Sequence, residues 1–215
     1  TADDELVIAD AAGVNYRFTS ARAGVRDIDF YLPENTECSD LALELAEPVS
    51  CDDDKIRIEG PFIVDFLSGE SWPPLEGLTI PGGEYRRVDV RFDDTRSDWG
   101  LLEQGDPLLD TTFLMDGVIE SSQALFRISI DVNIEARYRS DTGLVLPQDA
   151  AASVLLNLDP GQWFASLPIT ECIENDEFDI VDDMILIQDS GSNCQEIENA
   201  LKAAIRDSGS LTLSD

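Results

Sequence analysis

Alternating apolar and polar positions run through much of the chain and predict β-strands. In residues 127–138, RISIDVNIEARY, the apolar residues from Ile128 to Tyr138 fall on one parity and the polar residues on the other. This period of two is typical of a strand with one buried face and one solvent face, whereas a helix would distribute the same residues around its axis. We therefore expect one long strand over this stretch.

A second alternating stretch, residues 87–92, carries arginines in an otherwise acidic chain. Its sequence RVDVRF puts the two valines and the phenylalanine on one parity, so we expect Arg87 and Arg91 on the solvent face. If this strand lies near the one above, Asp131 and Glu135 face the arginines, and cross-strand charge pairs contribute about 0.2–1 kcal/mol each. We interpret the arginines as neutralising an acidic sheet face rather than as a binding site for an anion.

Further short apolar segments are separated by turns rich in glycine, proline and aspartate. They are VNYRFT (14–19), DIDFYL (27–32), KIRIEGPFIVDF (55–66), TTFLMDGVIE (111–120) and SVLLNLD (153–159). The Gly60-Pro61 step is expected to introduce a bend or bulge into an edge strand. Many short strands of this kind predict a mostly β fold, either a sandwich or a barrel.

One helix is predicted near the end of the chain. Ile197, Leu201 and Ile205 recur every four residues, which places them on one face of a helix. Asn193 precedes them in a pattern that resembles a capping box. We expect this helix over about residues 194–206.

The domain organisation follows from these elements. We interpret residues 1–169 as a β-sandwich domain and residues 170–215 as an acidic, disulfide-stapled segment that packs on the same domain. Two weaker helical turns are expected at residues 38–46 and 180–184. The chain shows no internal repeat and no low-complexity linker.

Charge restricts the partners. The 215 residues include 45 acidic and 14 basic ones, giving a formal charge of −31. This charge repels nucleic acid and anionic membranes, so neither is expected as a direct partner. It favours cations, basic partners or a saline medium in which counterions screen the surface. Simple solubility at a cell surface is the alternative interpretation.

The chain contains no histidine, which excludes the Ser–His and Cys–His nucleophile pairs and histidine metal sites. No G-x-S-x-G motif occurs either. A carboxylate-based hydrolase needs two acidic residues at a defined separation, and the many acidic residues rank no pair above another. We expect the protein not to be an enzyme.

Four cysteines, Cys38, Cys51, Cys172 and Cys194, allow three disulfide pairings. None has the C-x-x-C spacing of a zinc or redox site. The simplest pairing is local, with bonds Cys38–Cys51 and Cys172–Cys194. Disulfides persist outside the reducing cytosol, so we expect an exported protein. Four free thiols in a cytosolic core are the alternative.

Two clusters of aspartates are candidate calcium sites. Calcium takes six to eight oxygen ligands, and closely spaced aspartates on a loop supply several of them. No D-x-D-x-D-G calcium loop is present, so solvated acidic loops are the alternative interpretation. The candidate ligands are Asp52, Asp53, Asp54, Asp93, Asp94 and Asp98.

Two tryptophans are candidate binding residues. Trp72 and Trp99 lie in predicted loops beside proline, glycine and acidic residues, where an exposed ring can stack on a sugar or a partner surface. The alternative is that they cover the core, as tryptophans in sandwiches often do. Trp163, which is next to Phe164, is expected to be buried.

The central part of the chain resembles a known family. The segment GPFIVDFLSGESWPPLEGLTIPGGEYRRVDVRF, with its turn Ile80–Tyr85 feeding an alternating strand, is similar to the bacterial domain of unknown function 4382. A later strand that begins Phe126-Arg127-Ile128 also fits, and the likeness covers roughly residues 55–165. It implies an antiparallel β-sandwich of the transthyretin-like or immunoglobulin-like type. It also implies an exported surface protein, anchored to lipid if a suitable segment precedes Thr1, and it supplies no catalytic residues.

Three functions are weighed on these observations. The first is a non-catalytic cell-surface or periplasmic module for binding or adhesion, stabilised by calcium if one of the aspartate clusters is a site, with a protein or glycan as partner. The second is a structural subunit of an extracellular assembly or filament, because the tails TADDELVIAD and SGSLTLSD are β-prone segments that can add to a neighbour's sheet. The third is a carboxylate-based hydrolase.

Overall fold

A computed structural model describes residues 6–41, 45–75, 78–139, 144–146, 153–157, 160–175, 178–188, 194–207 and 210–214. The fold is mostly β, as predicted, and sandwich-like. The first strands are β1 (Leu6–Ala9), β2 (Asn15–Tyr31), β3 (Val49–Asp52), β4 (Lys55–Asp65), β5 (Ser71–Trp72), β6 (Gly83–Tyr85), β7 (Arg87–Phe92) and β8 (Phe113–Ile119). The later strands are β9 (Leu125–Ile130), β10 (Ile134–Tyr138), β11 (Leu144–Leu146), β12 (Ser153–Asn157), β13 (Asp179–Val181), β14 (Met184–Gln188) and β15 (Ser210–Ser214). The α-helices are α1 (Pro160–Ala165), α2 (Ile169–Glu174) and α3 (Gln195–Asp207), and short 3-10 turns occur at Cys38–Asp40 and Ser97–Trp99.

The long strand β2 organises the main sheet. Its first half pairs with β1 on one side and with β8 on the other, and β8 leads on to β9, β14 and β13. Its second half pairs with β4 and β7, which lead on to β3, β5 and β10. We call these groups the first-half sheet and the second-half sheet. Among the described strands, all pairs are antiparallel except β9 with β14.

Strand β2 is 17 residues long, although the sequence suggests two separate strands in this region. Its buried residues change parity twice, from Phe18 to Ala21 and again from Val25 to Ile28. The pairing register shifts at the same two places, between Phe18 and Ser20 and between Val25 and Asp27. An extra residue in a β-bulge turns every later side chain to the opposite face. A search for one uniform alternation therefore breaks the strand at each bulge.

The Gly60-Pro61 step lies in a strand that is not an edge strand, contrary to the prediction, although among the described residues no strand pairs with the step itself on the side away from β2. Strand β4 pairs with β2 on one side and with β3 and β5 on the other. The predicted bulge is present at this step, because Gly60 and Pro61 of β4 together lie opposite the single residue Arg26 of β2. A Cβ at Gly60 would lie 2.1 Å from the carbonyl oxygen of Arg26, so only glycine allows this close approach.

The predicted single strand over residues 127–138 is two strands. β9 pairs with β8 in the first-half sheet, whereas β10 pairs with β7 in the second-half sheet. Between them, the hydroxyl of Thr112 donates to the carbonyl of Val132 at 2.7 Å and accepts from its amide at 2.9 Å. These bonds satisfy the backbone where the chain crosses between the two groups, and Val132 stays buried.

Apolar residues from both strand groups and the helices form one large cluster. Its aromatic centre brings Phe113 of β8 within 5.1 Å of Phe92 of β7 and within 6.2 Å of Trp163 of α1, measured between ring centroids. Trp163 is buried, as expected. No helix in the described ranges is long and apolar enough to cross a bilayer.

The C-terminal helix α3 spans Gln195–Asp207, close to its predicted limits. Its predicted face is buried, because Ile197, Leu201 and Ile205 all belong to the main cluster. Asn193, the predicted cap, lies outside the described residues. The domain boundary near residue 169 stays a prediction.

Two disulfides connect the cysteines in the predicted pairs. The Cα atoms are 5.8 Å apart in Cys38–Cys51 and 5.6 Å apart in Cys172–Cys194. The first bond joins a 3-10 turn to β3, and the second joins α2 to the residue that precedes α3. Disulfides fit a protein that resides outside the reducing cytosol.

The helical turn predicted over residues 180–184 is instead a hairpin. Asp182 and Asp183 form a two-residue turn with φ of 51° and 63° between β13 and β14. Two consecutive positive φ values match the turn type whose twist suits a tight hairpin, and aspartate tolerates this conformation. The 3-10 turn Cys38–Asp40 accounts for the start of the other predicted helical turn, 38–46, of which residues 42–44 lie outside the described ranges.

Candidate functional site

The first aspartate cluster lies at the tip of the β3–β4 hairpin. Asp52 ends β3 opposite Lys55, and Asp53 occupies the turn with a φ of 52°. Asp54 pairs with Arg86. These carboxylates therefore serve a turn and an ion pair.

The second cluster is dispersed. Asp93 accepts hydrogen bonds from Arg26 and from an asparagine of the loop before β10, both at 3.0 Å. Asp94 is turned toward a threonine hydroxyl at 3.4 Å, and the exposed Asp98 lies 3.6 Å from Arg96. Within the part of the chain that the structure describes, no group of three or more Asp, Glu, Cys or His side chains is placed to hold a metal. The calcium site stays a prediction.

The two candidate tryptophans lie near each other. Trp72 is exposed on β5, where it is the cross-strand partner of Ile63. Trp99 is partly buried and packs against a small cluster formed by Ile63, Leu108 and Leu114. Trp99 therefore acts mainly as a cover for this cluster, and Trp72 is the more accessible of the two rings.

The outward side of the second-half sheet carries a dense layer of charged side chains, which we call the charged face. It consists of Asp27, Asp29, Tyr31, Lys55, Arg57, Arg87, Asp89, Arg91, Glu135 and Arg137. Cross-strand register aligns them in rows, since each residue lies opposite another of the same face. The parity prediction for residues 87–92 is confirmed by the burial of the valines and the phenylalanine.

Asp29 lies at the centre of the charged face and is fully paired. It accepts two hydrogen bonds from Arg57, at 2.7 and 2.9 Å, and one from Lys55 at 3.2 Å. Burial alone would raise the pKa of Asp29, but the hydrogen bonds and charges of Arg57 and Lys55 outweigh burial and lower it. Asp29 is therefore held as a carboxylate.

Asp89, the cross-strand neighbour of Asp29 on β7, is in a different state. Only 2% of Asp89 is exposed, although the sequence suggests a solvent face. Arg87 Nη2 lies 3.1 Å from Oδ2 of Asp89, yet neither carboxylate oxygen accepts a hydrogen bond from the described residues. Burial and the charge of Glu135 outweigh the attraction of Arg87 and raise the pKa of Asp89 to about 6.

The arginines of the charged face neutralise carboxylates. Arg91 lies 3.5 Å from Asp27 and 3.4 Å from Glu135. Glu135 is one of the two partners that the sequence suggested. Arg87 also stacks on Tyr31, with its guanidinium carbon 3.8 Å from the ring centroid. The pKa of Asp29 is lowered and that of Asp89 is raised, a difference that is also found in catalytic acid–base pairs. Here, however, both carboxylates lie beneath the side chains of these cations.

A groove of about 460 Å³ adjoins the charged face at β10. Its described lining consists of Asn133, Ile134, Glu135, Arg137 and Arg206. The lining carries both signs of charge, so it gives no preference for an anionic or a cationic ligand.

The outward side of the first-half sheet carries a different feature, a row of side chains that crosses six strands and is apolar except for Arg17 of β2. We call it the apolar stripe. In strand order, the row is Val7, Arg17, Val118, Leu125, Met184 and Val181. With strands about 4.8 Å apart, its length is roughly 24 Å. The strands that form it are three hairpins, β1–β2, β8–β9 and β13–β14, from three separate parts of the chain.

The stripe is open to solvent. Val7 is 45% exposed, Leu125 51% and Val181 44%, and the remaining members are partly buried. The next row on the same face contains Asp116, which accepts two hydrogen bonds from Arg127 at 2.6 and 2.9 Å, and it continues through Leu186 to Asp179. Single exposed apolar residues are ordinary, but a contiguous apolar patch with a polar rim is typical of an interaction surface.

Sequence analysis missed the stripe because no local pattern encodes it. Val118 and Leu125 occur in segments predicted as strands or beside them, but their alignment with Val7 and Val181 depends on long-range register. The one local signal for the stripe is an apolar residue at a position that alternation assigns to the solvent face. Leu125, which precedes the buried Phe126, is an example.

Comparisons with protein-family models, with curated proteins and with solved structures found no match to the chain. The resemblance to the domain of unknown function 4382 therefore stays a prediction.

Proposed function

We propose that the chain is an exported, non-catalytic β-sandwich module of the cell surface or periplasm that binds a partner protein through the apolar stripe. The stripe is the observation that carries this proposal. Residues that expose apolar surface in a row, beside a polar rim, match the composition of protein interfaces, where a buried apolar centre is surrounded by polar contacts.

Two further observations support the proposal. The disulfides Cys38–Cys51 and Cys172–Cys194 fit an exported protein. Of the two central carboxylates of the charged face, Asp29 is bound by Arg57 and Lys55, and Asp89 is buried beside Arg87, which leaves both poorly placed to act on a substrate. A protein is a better fit to the stripe than a glycan, because sugars are bound by aromatic platforms with polar groups and the stripe contains no aromatic residue.

The alternative of an assembly subunit loses its original support. Both β-prone tails pair within the same chain, since β1 pairs with β2 and β15 pairs with β12. Neither tail is therefore available as a donor strand without first leaving its own partner.

The test uses a stripe variant and a matched control. Leu125→Asp combined with Val181→Asp adds two charges to exposed positions and should change the free energy of unfolding by less than about 1 kcal/mol. The control is Val145→Asp, because Val145 is 56% exposed on β11, which pairs only with β6 among the described strands.

Each purified protein is immobilised and exposed to surface proteins of the source cells. The proposal predicts a defined protein retained by the wild type and by the Val145 control, and lost with the stripe variant. Equal retention by all three proteins would contradict it. Loss of a self-associated form with the stripe variant, measured by light scattering, would instead assign the stripe to assembly of identical copies.

A further inference from the structure

The strand β13 forms one end of the main sheet. It pairs with β14, and it has no second strand partner in the described part of the chain. Its middle residue, Ile180, is 70% exposed. The apolar stripe reaches this edge at Val181, the next residue along the chain. The edge and the stripe are therefore one continuous surface.

Register identifies which backbone groups of β13 face outward. Val181 and Met184 flank the two-residue turn, so they form the hydrogen-bonded pair that closes the hairpin. Hydrogen-bonded and non-hydrogen-bonded pairs alternate along an antiparallel ladder. The N–H and C=O of Ile180 therefore point away from β14, toward the free edge, where an added strand would bind them.

The hairpin that forms this edge carries only negative charges. Asp179, Asp182 and Asp183 are exposed, and the described hairpin segment 178–188 contains no lysine or arginine. A second copy of the chain would bring the same carboxylates and a formal charge of −31 to the contact. Charge complementarity thus favours a cationic partner over self-association.

We propose that β13 accepts an extended, cationic segment of the partner protein as an additional strand. This inference rests on the proposed function and names the chemistry of the partner. Backbone hydrogen bonds to Ile180 hold the segment, and its alternate side chains extend the apolar stripe beyond Val181. Basic residues between them lie on the opposite face and neutralise the turn aspartates Asp182 and Asp183.

The probe is a ten-residue peptide of alternating valine and lysine with blocked ends. The control peptide has the same sequence with N-methyl groups on alternate residues, which keep the charge but remove the backbone donors that a sheet needs. Binding is measured by fluorescence anisotropy at 150 mM NaCl, which weakens general attraction to an acidic surface.

Three variants separate strand addition from charge alone. Ile180→Pro removes the outward N–H of β13, and proline is tolerated on edge strands. Asp182→Asn with Asp183→Gly removes two charges but keeps the turn, because Asn-Gly is strongly favoured at these positions. Glu34→Gln with Glu84→Gln removes two exposed charges elsewhere and serves as the control.

We expect at least tenfold weaker binding of the peptide to the Ile180→Pro protein, about threefold weaker binding to the turn variant, and unchanged binding to the Glu34/Glu84 control. The N-methylated peptide should bind the wild type at least tenfold more weakly. Equal affinity of both peptides, or no effect of Ile180→Pro, would overturn the inference. Partner capture that still depends on the stripe would then leave the proposed function standing.

Discussion

Asp89 offers the sharpest quantitative test of the charged face. The residue is 2% exposed, and burial raises its pKa from 3.8 to about 6. A difference of this size corresponds to about 3 kcal/mol between the protonated and ionised forms in the folded state. The folded protein therefore favours protonated Asp89, and the associated stability is fully present below pH 3.8 and lost as the pH rises through about 6.

The perturbation is Asp89→Asn, which resembles the protonated form at every pH. Relative to wild type, the variant should gain about 2–3 kcal/mol in free energy of unfolding between pH 4 and pH 8. Asp29, the cross-strand neighbour, has a lowered pKa and so stays ionised throughout this range, and the other titratable groups are present in both proteins and largely cancel in the difference.

The assay is urea denaturation at constant ionic strength from pH 4 to pH 8, for wild type, Asp89→Asn and a control. The control is Asp98→Asn, because Asp98 is exposed and is not part of the charged face. Its difference from wild type should stay flat across this range. The account of Asp89 as a buried and poorly paired carboxylate would be refuted if the difference in free energy of unfolding between Asp89→Asn and wild type did not change with pH. It would also be refuted if the variant lost stability relative to wild type as the pH rises.

Three further outcomes are expected. Gly117→Ala should destabilise the fold by about 2–3 kcal/mol in chemical denaturation, because a Cβ at this position would lie 2.2 Å from a backbone oxygen of β2 and 2.8 Å from the ring of Phe126. A denaturation midpoint equal to that of the wild type would contradict the packing of β2 against β8. Val90→Asp should lower the free energy of unfolding by about 3–5 kcal/mol, because it places a charge in the core, whereas Arg91→Ala should lower it by about 1 kcal/mol or less. Equal losses for the two variants would mean that the buried and outward faces of β7 are reversed. The melting temperature should rise with NaCl, which screens repulsion among charges that sum to −31, and a melting temperature independent of NaCl would contradict this reasoning. If an aspartate cluster binds calcium, millimolar Ca²⁺ should raise the melting temperature further at matched ionic strength, and an equal rise would contradict a calcium site.

Local patterns in the sequence were sufficient for some features. The parity of residues 87–92 identified the buried side of β7, the four-residue repeat located α3, and short separations identified both disulfides. Each of these signals involves residues that are close together in the chain. The interactions that produce these features act within a short segment, so residues elsewhere in the chain alter the features little.

Features that depend on tertiary context were missed. Two bulges in β2 reversed the parity of its buried residues, and the break after Ile130 was hidden by continuing alternation. Asp89 was expected in solvent because its parity is polar, yet the side chains of the surrounding strands bury it. The apolar stripe was missed for the same reason, since it exists only once distant strands are aligned.

The central claim is that the apolar stripe contacts a partner protein, and photo-cross-linking tests it most directly. A benzophenone amino acid replaces Leu125 in one protein and Val145 in another, two positions of similar exposure of which only Leu125 belongs to the stripe. After irradiation on the surface of the source cells, the account predicts a discrete cross-linked protein from position 125 and none from position 145. Cross-links from both positions alike, or from position 145 alone, would contradict it.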